Sequence, residues 1–226
     1  LFALRETLAP ADRVPVSLRS MARGCRVLLT DPLFMGLTFV AAFGFGGFFV
    51  FIASASFVYA ESFGLSPTGF SVAFAINALG FFGASQAAAP LGARLGLARV
   101  MRLGLAGLAG AALLLLALTL AGLGTLAVVV GLLFVANAFM GLVMPATFVL
   151  AIEEHGDIAG LASSLGGTLQ MVTGAVLVTA LGPFFDGTAL PMVAAIALCA
   201  TLALGIGLLV LRRLPGFGGA AAPAGR

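Results

Sequence analysis

Asn77, Asn137 and Gln170 are carboxamides set near the middle of three stretches that contain no Asp, Glu, Lys, Arg or His. In such surroundings a carboxamide has two uses. It hydrogen-bonds across a helix interface as packing glue, or, gathered with others at one depth, it lines the midplane cavity in which a transporter binds its substrate. Gln86 shares a stretch with Asn77, but at about 100° per residue it falls on nearly the opposite helix face. At most one of the pair faces a common cavity, and Asn77 is the one at mid-depth. A second candidate is the run holding Gly44, Gly46 and Gly47 among Phe43, Phe45, Phe48, Phe49 and Phe51. Its glycines permit close approach and a bend. Its rings, Phe45 and Phe49 among them, either line a greasy pocket for lipophilic or cationic ligands or face lipid. Pro145, following Gly141, is expected to kink its helix, which suits a flexing point in a transporter and is equally a common membrane-helix feature. Gly104, Gly107 and Gly110 read as a packing groove.

No constellation for catalysis emerges, so an enzyme is not expected. His155 lies with Glu153, Glu154 and Asp157 in a spacing unsuited to zinc, and reads as a solvated loop; no metal or other cofactor is expected. Gly122-x-Gly124-x-x-Ala127 matches a dinucleotide fingerprint by letters alone, without the strand before it or the acid about 20 residues after it. Cys25 and Cys199 are unremarkable thiols. Lys is absent and no arginine cluster is interleaved with aromatics, so nucleic acid is not implied.

The elements that carry these residues follow from composition. Of 226 residues, 62% are hydrophobic and 8% charged, and the mean hydropathy is +1.21; a soluble domain is about 25% charged. A chain of this size has too little interior to hide so much apolar surface from water, so it belongs in a lipid bilayer. The abundant Gly and absent Trp fit packed helices better than an outer-membrane barrel with aromatic girdles. Charge-free stretches predict six spans, at 33–58, 67–91, 103–121, 125–150, 159–184 and 189–211. Asp31-Pro32 and Ser66-Pro67 supply a cap and an N1 proline to the first two, and Asp186-Gly187-Thr188 separates the last two. Six spans place all eleven arginines on one face, which the positive-inside rule makes cytoplasmic together with both termini and the loops at 92–102 and 151–158. Glu61 and Asp186 are the charges left on the other face. Leu1-Phe2-Ala3-Leu4, followed by Arg5-Glu6-Thr7, reads like the end of an earlier helix. The expected organisation is therefore that helix end and a hydrophilic connector over 1–31, a six-helix bundle over 32–211 and a tail over 212–226, in a C-terminal fragment.

Arg94-Leu-Gly96-Leu-Ala-Arg99 resembles a degenerate form of the Asp-Arg-x-Gly-Arg loop motif of the major facilitator superfamily, with Ala93 at the acidic position. Asp31-Pro32-Leu-Phe34, Tyr59-x-x-x-Phe63-Gly-Leu-Ser-Pro67, Phe74-x-x-Asn77-Ala-Leu-Gly80, Gly160-x-Ala-Ser-Ser164 with Leu169-Gln170, and Asp186-Gly-Thr188 together resemble the C-terminal half of the Bcr/CflA drug-resistance exporters. The resemblance implies an all-α polytopic membrane protein, half of a twelve-helix fold, built as two inverted three-helix repeats. It further implies proton-coupled export of small lipophilic molecules across the bacterial inner membrane by alternating access, with Arg94, Gly96 and Arg99 as a conformational-gating loop. The partners implied are a small-molecule substrate, protons, the bilayer and a missing N-terminal six-helix half that holds the proton-coupling acid. The first, second, fourth and fifth spans would contribute most to the cavity, making Asn77, Asn137 and Gln170 cavity residues. A self-sufficient half-transporter that dimerises is the strongest rival. A six-helix channel subunit would favour a pore loop or ring of charges.

Overall fold

The computed structural model describes residues 18–153 and 155–212. Within them run α1 (Leu18–Thr30), α2 (Pro32–Glu61), α3 (Pro67–Leu95), α4 (Leu97–Leu120), α5 (Leu126–Glu153), α6 (Ala159–Leu181) and α7 (Ala189–Leu211), with single 3₁₀ turns flanking α6. At 1.5 Å per residue the shortest of α2 to α7 is about 35 Å long, enough for a hydrocarbon layer of about 30 Å. All six are apolar enough to cross a membrane.

The helices outrun the charge-free stretches. A helix keeps its backbone hydrogen bonds as it leaves the hydrocarbon, and long charged side chains reach water from its last turns. The expected loop at 92–102 is therefore reduced to Gly96 alone, with Arg94 in the last turn of α3 and Arg99 in the first turn of α4. Gly96 has φ 84° and ψ 139°, a region a residue with a Cβ rarely adopts. Asp31 caps α2 by accepting from Leu33 N at 3.0 Å and Phe34 N at 3.1 Å, and Ser66 caps α3 by accepting from Gly69 N at 3.2 Å. The connector is only partly irregular. Residues 18–30 form an amphipathic helix with Arg19, Arg23 and Arg26 exposed, and with Gly24 and Leu28 buried beside the start of α6. The expected helix end at residues 1–4, the rest of the connector and the tail from 213 lie outside the described residues.

The packing is interleaved. α2 barely touches α3, and α5 barely touches α6; instead α3 lies along α5, α6 along α2, α4 along α5, α7 along α2, and α4 meets α7. Exchanging α2 with α5, α3 with α6 and α4 with α7 turns this pattern into itself. Because α2 starts at the arginine-bearing end and α5 at the other, that two-fold axis lies across the helices, as inverted repeats require. The same end joins Gly36 of α2 to Val210 of α7, while the far end joins Ser62 to the Gly187 carbonyl at 2.8 Å. Of the expected glycine groove in α4, Gly104 and Gly107 do face α5, against Val143 and Phe139, but Gly110 faces open space.

Candidate functional site

The tightest crossing is between α3 and α5. A Cβ on Gly80 would lie 2.8 Å from the Phe134 carbonyl oxygen, and one on Gly141 would overlap the Phe81 carbonyl, so these helices meet backbone to backbone. At the same crossing the amides meet as well. Asn137 Nδ2 donates to Asn77 Oδ1 at 3.2 Å and to the Leu133 carbonyl at 2.9 Å, while Asn77 Nδ2 donates to the Ala73 carbonyl at 2.9 Å. Asn77 is only 3% exposed. The pair that joins the helices also lines a cavity of about 370 Å³ bounded by α2, α3 and α5. Its walls are Phe45, Phe48, Phe51, Phe74, Phe81, Phe82 and Met140, with Phe51 stacked on Phe74 at 5.9 Å. Such a chamber accepts an apolar or cationic body against ring faces. Both N–H groups of Asn137 are engaged, which leaves its Oδ1 as an acceptor.

An interhelical hydrogen bond in a membrane averages about 0.6 kcal/mol, because the separated helices also find partners. The Asn77→Ala, Asn137→Ala double-mutant cycle, read from thermal denaturation in detergent, should give a coupling of about that size. A coupling near zero would show that the pair does not hold α3 to α5.

Gln170 does not join the two asparagines. It lines a second cavity, of about 400 Å³, bounded by α2, α5 and α6 on the arginine-bearing side. Phe45 borders both cavities. Phe49 borders neither, since its ring lies over Gly174 of α6. Gln86 is exposed and makes no hydrogen bond among the described residues, so it is not packing glue within this bundle. Pro145 also borders the second cavity, and α5 stays helical through it. Between them the two cavities draw on the first, second, fourth and fifth spans, and no residue of α4 or α7 lines either. Sequence reasoning missed Thr38, Thr147, Ser163 and the α3 phenylalanines. Ser163, Gly166, Gly167 and Gln170 recur at the spacing of one helix face, a signal that was available.

His155 is not in a solvated loop. Its Nε2 lies 3.4 Å from Asp31 Oδ2, and its ring meets Phe34 edge-on at 5.8 Å, so it ties the end of α5 to the start of α2. Arg94 and Arg99 are exposed at the α3–α4 junction, with no ion pair among the described residues. At the far end Asp186 accepts from the Thr188 hydroxyl at 2.6 Å and from Thr188 N at 2.9 Å. Those two bonds hold its carboxyl below the usual carboxylate pKa.

The sequence pattern of the Major Facilitator Superfamily matches residues 3–178. An uncharacterised MFS-type transporter, YdgK of Bacillus subtilis (strain 168), is 33% identical over 189 residues, covering 84% of this chain and 46% of that protein. A bicyclomycin resistance protein homolog of Haemophilus influenzae (strain ATCC 51907 / DSM 11121 / KW20 / Rd) is 28% identical over 203 residues, covering 89% and 50%. The chain thus spans about half the length of these curated relatives. No solved structure matches it with significance. The pattern match over most of the sequence, with six spans interleaved as inverted repeats around two cavities, makes this chain a member of the Major Facilitator Superfamily.

Proposed function

We propose that this chain is the C-terminal half of a secondary transporter that exports small lipophilic molecules from a bacterial cell in exchange for protons. The observation that carries the reading is the charge-free aromatic cavity between α2, α3 and α5, with the Asn77–Asn137 pair in its wall. A lipophilic or cationic solute is held there by ring faces and oriented by Asn137 Oδ1. The likeness to a bicyclomycin resistance protein homolog supports drug-like substrates. The half-length coverage of both relatives supports a second six-helix half in the same polypeptide. None of the helices α2 to α7 carries an acid within its charge-free span, so the proton-coupling carboxylate belongs to that other half. The arginine-bearing face is cytoplasmic, and the Arg94-Gly96-Arg99 junction, with Pro145, serves the movement between inward-open and outward-open states.

Produced from its whole reading frame in a bacterium deprived of its own exporters, the protein should drive ethidium out of preloaded, energised cells, and an uncoupler should stop it. Efflux that survives the uncoupler, or no efflux of any lipophilic dye, overturns the proposal. Orientation has its own check. Cysteines placed at Arg94 and at Asp186 should react with an impermeant thiol reagent from opposite sides, Asp186→Cys alone labelling in intact cells.

A further inference from the structure

α1 lies outside the six spans, and three arcs of its surface differ in kind. Gly24 and Leu28 form the buried arc. A Cβ on Gly24 would overlap the Leu161 side chain at the start of α6, and Leu28 is buried in a cluster with Phe34 and Ala162. Two residues one turn apart therefore meet the first turns of α2 and α6, so α1 runs across the helix ends instead of away from them. A single residue, Asp31, joins it to α2, whose charge-free stretch begins at 33. α1 is thus held at the level where the bundle enters the hydrocarbon. At about 100° per residue Arg19, Arg23 and Arg26 gather within an arc of about 60°. All three are exposed, none pairs with an acid among the described residues, and the helix contains no Asp or Glu. In the third arc, between the buried residues and the arginines, lie Leu18, Met21 and Leu29, which are 86%, 42% and 48% exposed.

In water this arrangement leaves an apolar stripe uncovered beside three unpaired cations. At a membrane surface both are satisfied, because the apolar side chains enter the acyl boundary while the arginines reach back to the headgroups. We infer that α1 is an interfacial helix that docks on the anionic phospholipids of the cytoplasmic leaflet, with Leu18, Met21 and Leu29 in the acyl boundary and Arg19, Arg23 and Arg26 on lipid phosphates. The inference rests on the cytoplasmic side proposed above for the arginines, which the Asp186 labelling tests by itself. Charge decides between lipid and protein as the occupant. Cytoplasmic segments of polytopic membrane proteins carry an excess of Lys and Arg, so another six-helix half would meet α1 with like charge at this level, whereas the leaflet carries the opposite charge. Since Gly24 and Leu28 fasten the same helix to the starts of α2 and α6, docking makes the stability of the bundle depend on headgroup charge.

The test uses the protein made from its whole reading frame, purified in a nonionic detergent. Titration with phosphatidylglycerol should raise its thermal midpoint, and phosphatidylcholine should raise it less. One arginine near an anionic surface is worth about fivefold in binding. Arg19→Gln, Arg23→Gln and Arg26→Gln together should therefore raise the phosphatidylglycerol concentration for half-maximal effect on the order of 100-fold, and high salt should act in the same direction. Arg19→Lys, Arg23→Lys and Arg26→Lys together keep the charge and should keep the response. An unchanged midpoint in detergent alone shows that the Gln variant is folded. Leu29→Trp reports the occupant. The fluorescence it adds over the unsubstituted protein should be quenched in nanodiscs whose phosphatidylglycerol carries brominated acyl chains. Added fluorescence that brominated lipid leaves untouched would mean that protein covers the stripe, and it overturns the inference. A phosphatidylglycerol response indifferent to the three Gln substitutions overturns it too. Neither result touches the transporter reading, which the ethidium efflux tests.

Discussion

Gly141→Ala is expected to be among the most damaging single substitutions in the bundle, although it adds only a methyl group. The new Cβ would overlap the Phe81 carbonyl and crowd Ser85 N, both of them backbone, so no side chain can rotate away. Overpacking a well-filled interface costs about 1–3 kcal/mol where side chains can adjust. Here α3 and α5 must part along the crossing that also holds the Asn77–Asn137 hydrogen bond, and the expected cost is at the top of that range, about 3 kcal/mol or more. Membrane abundance and the thermal midpoint in detergent should both fall. Gly110→Ala, whose new Cβ meets open space on α4, should leave both unchanged and serves as the control. Equal behaviour of the two variants would show that the α3–α5 backbone contact does not matter to the fold.

Ala78→Trp is expected to abolish export of lipophilic cations while leaving the fold intact. Ala78 lines the aromatic cavity of about 370 Å³ and is only partly buried, so an indole there fills the chamber without entering a packed interface. A substrate excluded from a cavity loses the whole of its ring contacts there. A loss of 1.4 kcal/mol is about tenfold in affinity, and exclusion should exceed it. Ethidium efflux from energised cells should fall by about tenfold or more at unchanged membrane abundance. Unimpaired efflux would place the lipophilic site elsewhere in the polypeptide.

The number of spans, their order and the side on which the arginines gather were legible in the sequence, because a bilayer enforces them residue by residue. A charge at hydrocarbon depth is expensive wherever the helix sits, so charge-free runs mark spans before any packing is known. The caps were legible for a similar reason, since Asp31-Pro32 and Ser66-Pro67 act within one turn. Helix ends were less so, because beyond the hydrocarbon nothing forbids either a charge or a helix; hence the loop expected at 92–102 proved to be Gly96 alone. The helix at 18–30 was written in the alternation of Arg19, Arg23 and Arg26 with Gly24 and Leu28, but charge density hid it. Depth along the membrane is a local property, so position within a charge-free run is enough to assign it to Asn77, Asn137 and Gln170. Azimuth is not. Whether two amides at one depth meet depends on which helices are neighbours and how each is rotated, and interleaved repeats make sequence neighbours poor guides to spatial ones. Only the tertiary structure therefore decided that Asn77 bonds to Asn137 while Gln170 faces a different cavity, that Phe45 borders both, and that Phe49 borders neither.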